Sequence, residues 1–159
     1  MAPCCRLFIC LFLLNFFGAS GLTAGQEPNL TGEEKDLLQR GNHERSRAEQ
    51  RTLRADAKLC QAARDHARNM ARHQKLDHDL DGQTPADRIT KAGYQARSWG
   101  ENISWGQKDS AGALATWMNS PPHKANLLNP EFTEIGVGIA TDTQGRKYYV
   151  QVFAAPARP

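Results

Sequence analysis

The sequence predicts a segregated α+β fold, helices laid over a small antiparallel sheet. Three observations carry this prediction. Helix-start signals recur along the chain as far as Ser110, two alternating apolar runs follow the last of these helices, and Gly136, Gly138 and Ala140 interleave with the first of those runs. Composition agrees with one compact domain: 40% of the 159 residues are hydrophobic, and the 13 glycines bring the apolar share close to the ordinary globular range of about 45–50%. A disordered or collagen-like chain is excluded on that ground.

The N-terminal segment is set apart from this domain. A short positive start ending at Arg6 precedes an eleven-residue apolar run, Leu7 to Phe17, and then the small, uncharged stretch Gly18 to Ala24. That layout is a secretory signal peptide over residues 1–24, with the cut after Ala24. The run is too short for a bilayer, which takes roughly 20 apolar residues, so no transmembrane anchor is expected in the mature chain. Taking 24 residues from 159 leaves 135, and Cys4, Cys5 and Cys10 leave with the leader, so Cys60 is the one cysteine that remains. A secreted or extracytoplasmic protein without an internal disulfide has to rest on an ordinary core. A chain of this size buries roughly two-thirds of its unfolded surface, which is enough. Of the 20 basic residues only Arg6 is lost, against 17 acidic ones, and the resulting balance of +2 argues against a nucleic-acid partner.

Residues 25–33 read as a loose polar tail ahead of a domain spanning 34–155. Thr31 with Glu34 three residues on forms a capping box, so a helix is expected from there to about Glu49, Leu37 and Leu38 facing inward and Arg45, Arg47, Glu49 and Arg51 forming a solvated face. Asp56 caps a second helix with Leu59, Ala63, Ala67 and Met70 at helical spacing. Cys60 lies beside that stripe, either as a packing residue or as a reactive thiol. Thr84-Pro85-Ala86-Asp87 opens a short third helix that Gly93 ends, and a fourth runs from Ser110 through Leu114 and Trp117 until Ser120-Pro121-Pro122 stops it. Trp99 to Trp105 is a strand candidate. Ile135, Val137 and Ile139, then Tyr148, Val150 and Val152 across the turn Asp142-Thr143-Gln144-Gly145, make a hairpin whose Gly-rich face requires close packing.

Of the five histidines, His43, His66 and His73 fall in Arg-rich helical stretches and read as surface or partly packed residues. His78 and His123 fall in loops dense with Gly, Pro and Asp, and Gly100-Glu101-Asn102-Ile103 places a carboxylate at the start of a strand. There is no HExxH and no paired CxxC, so a helical zinc protease is unsupported.

The ordered set of motifs is more specific. Asn42-x-x-Arg45, the helix leading to His78, Asp81-Gly82-x-Thr84-Pro85-x-Asp87-Arg88-Ile89, Gly100-Glu101-Asn102-Ile103, Trp117-Met118-x-Ser120-Pro121-x-His123-x-x-Asn126-Leu127-Leu128 and Phe132-Thr133-Glu134-Ile135-Gly136 together resemble the CAP superfamily, the SCP-like, cysteine-rich secretory, antigen and pathogenesis-related domains. The match runs from about Leu37 to Phe153 and resembles its disulfide-free bacterial branch. The resemblance implies an α-β-α sandwich with a central antiparallel sheet flanked by helices. It also implies a surface cleft in which two His and two Glu converge: here His78, Glu101 and His123, with the second Glu position falling near Ser120 and Glu134 as its nearby substitute. Ser120 and Asn126 are further ligand-binding candidates. Two neutral imidazoles suit Zn²⁺ or another divalent cation, and the implied role is a binding or envelope-associated module taking a metal or small ligand. The alternative is a metal-assisted hydrolase of peptide, ester or cell-wall substrates using His78, Glu101 and His123 as catalytic groups, although Ser104, Ser120 and Thr133 lie in no nucleophile-elbow motif.

Overall fold

The computed structural model describes Met1 and residues 28–158. The leader assigned to residues 1–24 thus lies outside the described residues, Met1 excepted. Helix α1 (Gly32–Arg47) starts at the capping box, with Thr31 accepting from the Glu34 backbone and the Glu34 carboxylate accepting from the Thr31 backbone. After the two-residue strand β1 (Arg54–Ala55), α2 (Ala57–His73) is capped by Asp56, whose carboxylate accepts from the Lys58 and Leu59 backbone. A second capping box, Thr84 with Asp87, opens α3 (Pro85–Lys91). Strand β2 (Ala96–Trp105), helices α4 (Ser110–Met118) and α5 (Pro121–Leu128), and the hairpin β3 (Glu134–Thr141) and β4 (Lys147–Pro156) complete the order. Among the described residues no helix is long and apolar enough to cross a membrane.

The sheet order is β1-β3-β4-β2, antiparallel except for the β1–β3 pair, which is parallel and which the sequence did not announce. Alternation along β3 and β4 divides the core into two layers. Val150, Val152 and Ala154 pack with Leu59, Ala63, Ala67 and Met70 of α2 and Ile89 of α3. Ile135, Val137, Tyr149 and Phe153 face the other way, onto Leu37 of α1, Leu114 and Trp117 of α4, and Leu127 of α5. Helices on both faces of one sheet make the expected α-β-α sandwich. The glycines of β3 set the spacing of one layer: a Cβ at Gly136 would stand 2.0 Å from the Leu59 carbonyl carbon, and one at Gly138 would stand 2.4 Å from that of Ala63. Backbone of α2 therefore lies directly on backbone of β3.

Two expectations are corrected. Arg45 is fully buried, not part of a solvated face. Its guanidinium donates to the carbonyls of Arg51, Leu127, Asn129 and Phe132, so it stitches the end of α1 to the chain after α5. Asn42, one turn earlier, bonds both the N–H and the carbonyl of Leu53, so Asn42-x-x-Arg45 is a device for fixing backbone. His123 is not in a loop: Pro121 and Pro122 occupy the first turn of α5 after Ser120, where missing N–H groups cost nothing. The same Pro pair that ends α4 begins the next helix. Cys60 is fully buried, and burial pushes its thiol up to about 11, which makes it a packing residue.

Candidate functional site

Strand β2 is the open edge of the sheet, and the site is built around that edge. Its outward carbonyls would be unpaired, and side chains meet them: Asn126 of α5 donates to Glu101 O at 3.2 Å, and the buried Trp117 indole of α4 donates to Ile103 O at 3.1 Å. Asn126 also donates to Asn102 Oδ1 at 3.1 Å, and Asn102 in turn donates to the carbonyl of His123 at 3.0 Å. These bonds hold α5 against β2 and bring His123 round the edge from one face. The loop after α2 brings His78 from the other.

Glu101 is the centre of the arrangement. Its side chain is 2% exposed, and its Oε1 lies 2.8 Å from His78 Nδ1. Arg88, itself 6% exposed, donates through Nη2 to both carboxylate oxygens at 3.1 and 2.8 Å. The other terminal nitrogen of Arg88 donates to the carbonyls of His78 and Gln83, both at 2.9 Å, so one guanidinium fixes the carboxylate and the loop that carries His78. The bond from Glu101 raises the proton affinity of His78 above that of an ordinary histidine. His123 moves the other way: desolvation comes first, and the positive field of His78 adds to it, so the two rings share one electrostatic environment. His123 Nδ1 sits 2.7 Å from Ser120 Oγ. With both Nδ1 atoms engaged, neither ring's Nε2 has a hydrogen-bond partner among the described residues.

A fourth titratable group joins from beneath. His66 of α2 is fully buried, with Nε2 3.8 Å from Glu101 Oε1 and neither ring nitrogen in a hydrogen bond. Desolvation pulls its pKa down to about 4; Arg88 and His78 act in the same direction, while Glu101 and the nearby Asp77 carbonyl oppose it. It is neutral at pH 7, and it is not the surface or partly packed residue expected from the Arg-rich stretch around it. Position 66 falls between Ala63 and Met70 on the apolar stripe of α2, a spacing that marks it as inward. Arg88 was visible in the sequence only as part of a motif; the capping box at Thr84 fixes the phase of α3 that turns it inward.

The structure brings His78, Glu101, Ser120, His123 and Asn126 together and places Glu134 elsewhere. Glu134 lies on β3, two strands in from Glu101, paired with Ala154 rather than Val152 of β4. Its carboxylate is held by Arg54 and by the Tyr94 hydroxyl. Burial and Glu134 together make that phenol harder to ionise, and the pair ties β3 to β1 and to the chain after α3. Among the described residues no three His, Cys, Asp or Glu side chains are grouped to hold a metal ion. Each of the two imidazoles is held through Nδ1, His78 by Glu101 and His123 by Ser120.

The chain matches the model of the cysteine-rich secretory protein family, CAP, over residues 38–153. It is 33% identical over 117 residues to the protein YkwD of Bacillus subtilis strain 168, covering 73% of this chain and 46% of that one. A solved extracellular protein containing an SCP domain from Bacillus anthracis superposes with a TM-score of 0.73 at 31% identity, over 77% of this chain and 40% of that one. An outer surface protein of Borrelia burgdorferi shares the fold with a TM-score of 0.75 at 24% identity, over 84% of this chain and 99% of that one. This chain spans less than half the length of the two Bacillus proteins. With the α-β-α sandwich and the motif residues in their expected order, these matches make the chain a member of the CAP family.

Proposed function

We propose that this chain is an exported CAP-domain binding module whose cleft takes a divalent metal ion of the zinc class between His78 and His123. One observation carries the proposal: each ring is held through Nδ1, by Glu101 or by Ser120, and each Nε2 is left without a hydrogen-bond partner among the described residues. A second group on Nδ1 sets ring orientation and, when it is a carboxylate, raises ligand basicity. Bound there, the metal would act as a Lewis acid with positions open to water or to a small ligand. Glu101 is a positioning residue in this site, because Arg88 and His78 already occupy its oxygens. Export is supported by the signal-peptide layout of residues 1–24 and by the extracellular and outer-surface descriptions of the two solved relatives.

Calorimetric titration of Zn²⁺ into the purified mature chain, beside a His78→Ala, His123→Ala double variant, tests the metal site. The expected result is saturable binding that weakens by more than about tenfold in the double variant, a difference above about 1.4 kcal/mol. Equal binding by both proteins, or none by either, overturns the proposal.

A further inference from the structure

A groove of about 360 Å³ opens between α2 and α3, behind Glu101, and neither His78 nor His123 lines it. Buried His66 and Arg88 contribute to its lining, along with Arg68 and Arg72 of α2 and Lys91 of α3. A smaller hollow of about 210 Å³ shares Asp65, Arg88 and Lys91 with it and extends it along the two helices.

The charges of this groove are unevenly matched. Asp65 pairs with Arg68, Asp81 with Arg72 and His73, and Glu101 with Arg88. Lys91 is left with no ion-pair partner among the described residues, so four cations face three carboxylates. Hydrogen bonding is unevenly matched too. Arg88 uses both terminal nitrogens, but its Nε is buried without a partner. Neither nitrogen of His66 has an aligned hydrogen bond, although the Asp77 carbonyl lies near enough to favour its protonated form. Buried polar groups without partners are uncommon and mark where something else completes the bonding. A guanidinium Nε only donates, and neutral imidazole offers one N–H, so what completes this set is an acceptor. An acceptor carrying negative charge also answers Lys91.

We propose that the α2–α3 groove binds a phosphate group, with Arg88 and His66 as its buried donors and Arg72 and Lys91 as its exposed cations. The groove is larger than the phosphate alone and has room for an organic substituent. The site meets the histidine side of Glu101 through Arg88, which bonds the Glu101 carboxylate and the His78 backbone carbonyl, and through His66, 3.8 Å from Glu101, and a phosphate there needs no metal.

The test is an NMR titration of the isotope-labelled mature chain in chelator-treated buffer, with inorganic phosphate in one arm and glycerol phosphate in the other. Shifts at the Arg88 Nε–H and at the His66 ring are expected to saturate. Arg72 and Lys91 are exposed, so Arg72→Gln, Lys91→Gln leaves the core intact and is expected to weaken binding about tenfold through loss of two facing charges. The His78→Ala, His123→Ala variant is expected to bind phosphate as the parent does, which separates failure here from failure of the metal site. Tighter binding of the ester identifies an organic phosphate as the source, and equal binding identifies the inorganic ion. Absence of saturation in both arms leaves water as the partner of Arg88 and overturns the proposal. So does binding that is unchanged in the Arg72, Lys91 variant or lost in the histidine variant.

Discussion

His66 should make the protein acid-sensitive in a way that one substitution removes. Folded, its pKa is about 4; in the unfolded chain it returns to the ordinary value of about 6.5. Between those values the unfolded state binds the proton and the folded state does not, so stability is present above pH 6.5 and is lost as pH falls towards 4. The full difference is about 2.5 pK units, or about 3 kcal/mol, and about 2 kcal/mol of it is gone by pH 4.5. His66→Gln keeps a polar side chain of similar reach without a proton to gain. Urea unfolding of both proteins at pH 7.0 and pH 4.5 gives four stabilities. The parent should lose about 2 kcal/mol more than the variant on acidification. Other groups titrate in the same window, and both proteins carry them. Desolvated Glu34 is held below the usual carboxylate range by Arg64 and Thr31, so its contribution is lost at lower pH, while His78, raised by Glu101, gains stability as pH falls. The double difference removes these contributions. If parent and variant lose equal stability, or if the His66 ring titrates near 6.5 in the folded protein, the proposed burial penalty is refuted.

Glu101→Gln keeps the shape of the side chain and removes its charge, leaving the buried Arg88 guanidinium without a counter-ion; a loss of about 3–5 kcal/mol in urea unfolding is expected. The same variant should return His78 to a lower pKa, read by NMR titration. Because His78 is raised in the parent, its stabilisation is present below about pH 6.5 and disappears as pH rises through the folded value, and this dependence should vanish in the variant. Gly136→Ala places a Cβ where the Leu59 backbone already lies, so α2 has to lift from β3 at a cost of about 3 kcal/mol or more, visible as a lowered thermal midpoint by circular dichroism. An unchanged midpoint would mean that α2 and β3 are less closely apposed.

Most of the fold is legible because most of its signals are local. Thr31 with Glu34, Asp56, and Thr84 with Asp87 each satisfy backbone donors within three residues, so sequence spacing alone identifies them. Gly136 and Gly138 report something longer in range, a missing side chain that only an apposed backbone explains. Where the explanation is wholly long-range, the sequence misleads. Arg45 sits among charged neighbours and reads as solvated, yet its carbonyl partners Leu127, Asn129 and Phe132 lie 82, 84 and 87 residues away. The parallel β1 strand is two residues long and has no period to detect.

The site follows the same division, with one refinement. His78, Glu101 and His123 are far apart in the chain, and their composition could not assemble them; the match to a known order of motifs did. What the motifs leave out is the buried support. Glu101 faces outward to His78 and backward to Arg88 and His66, so one carboxylate stands between His78 and the α2–α3 groove. An edge strand is where one carboxylate can serve two compartments, since a central strand would have a neighbour on each side and helices over both faces. Glu134 illustrates the contrast: on β3 it has strands on both sides, and its charge goes to Arg54 and Tyr94 within the fold. Position in the sheet, more than residue type, separates the glutamate that builds a site from the one that closes a core.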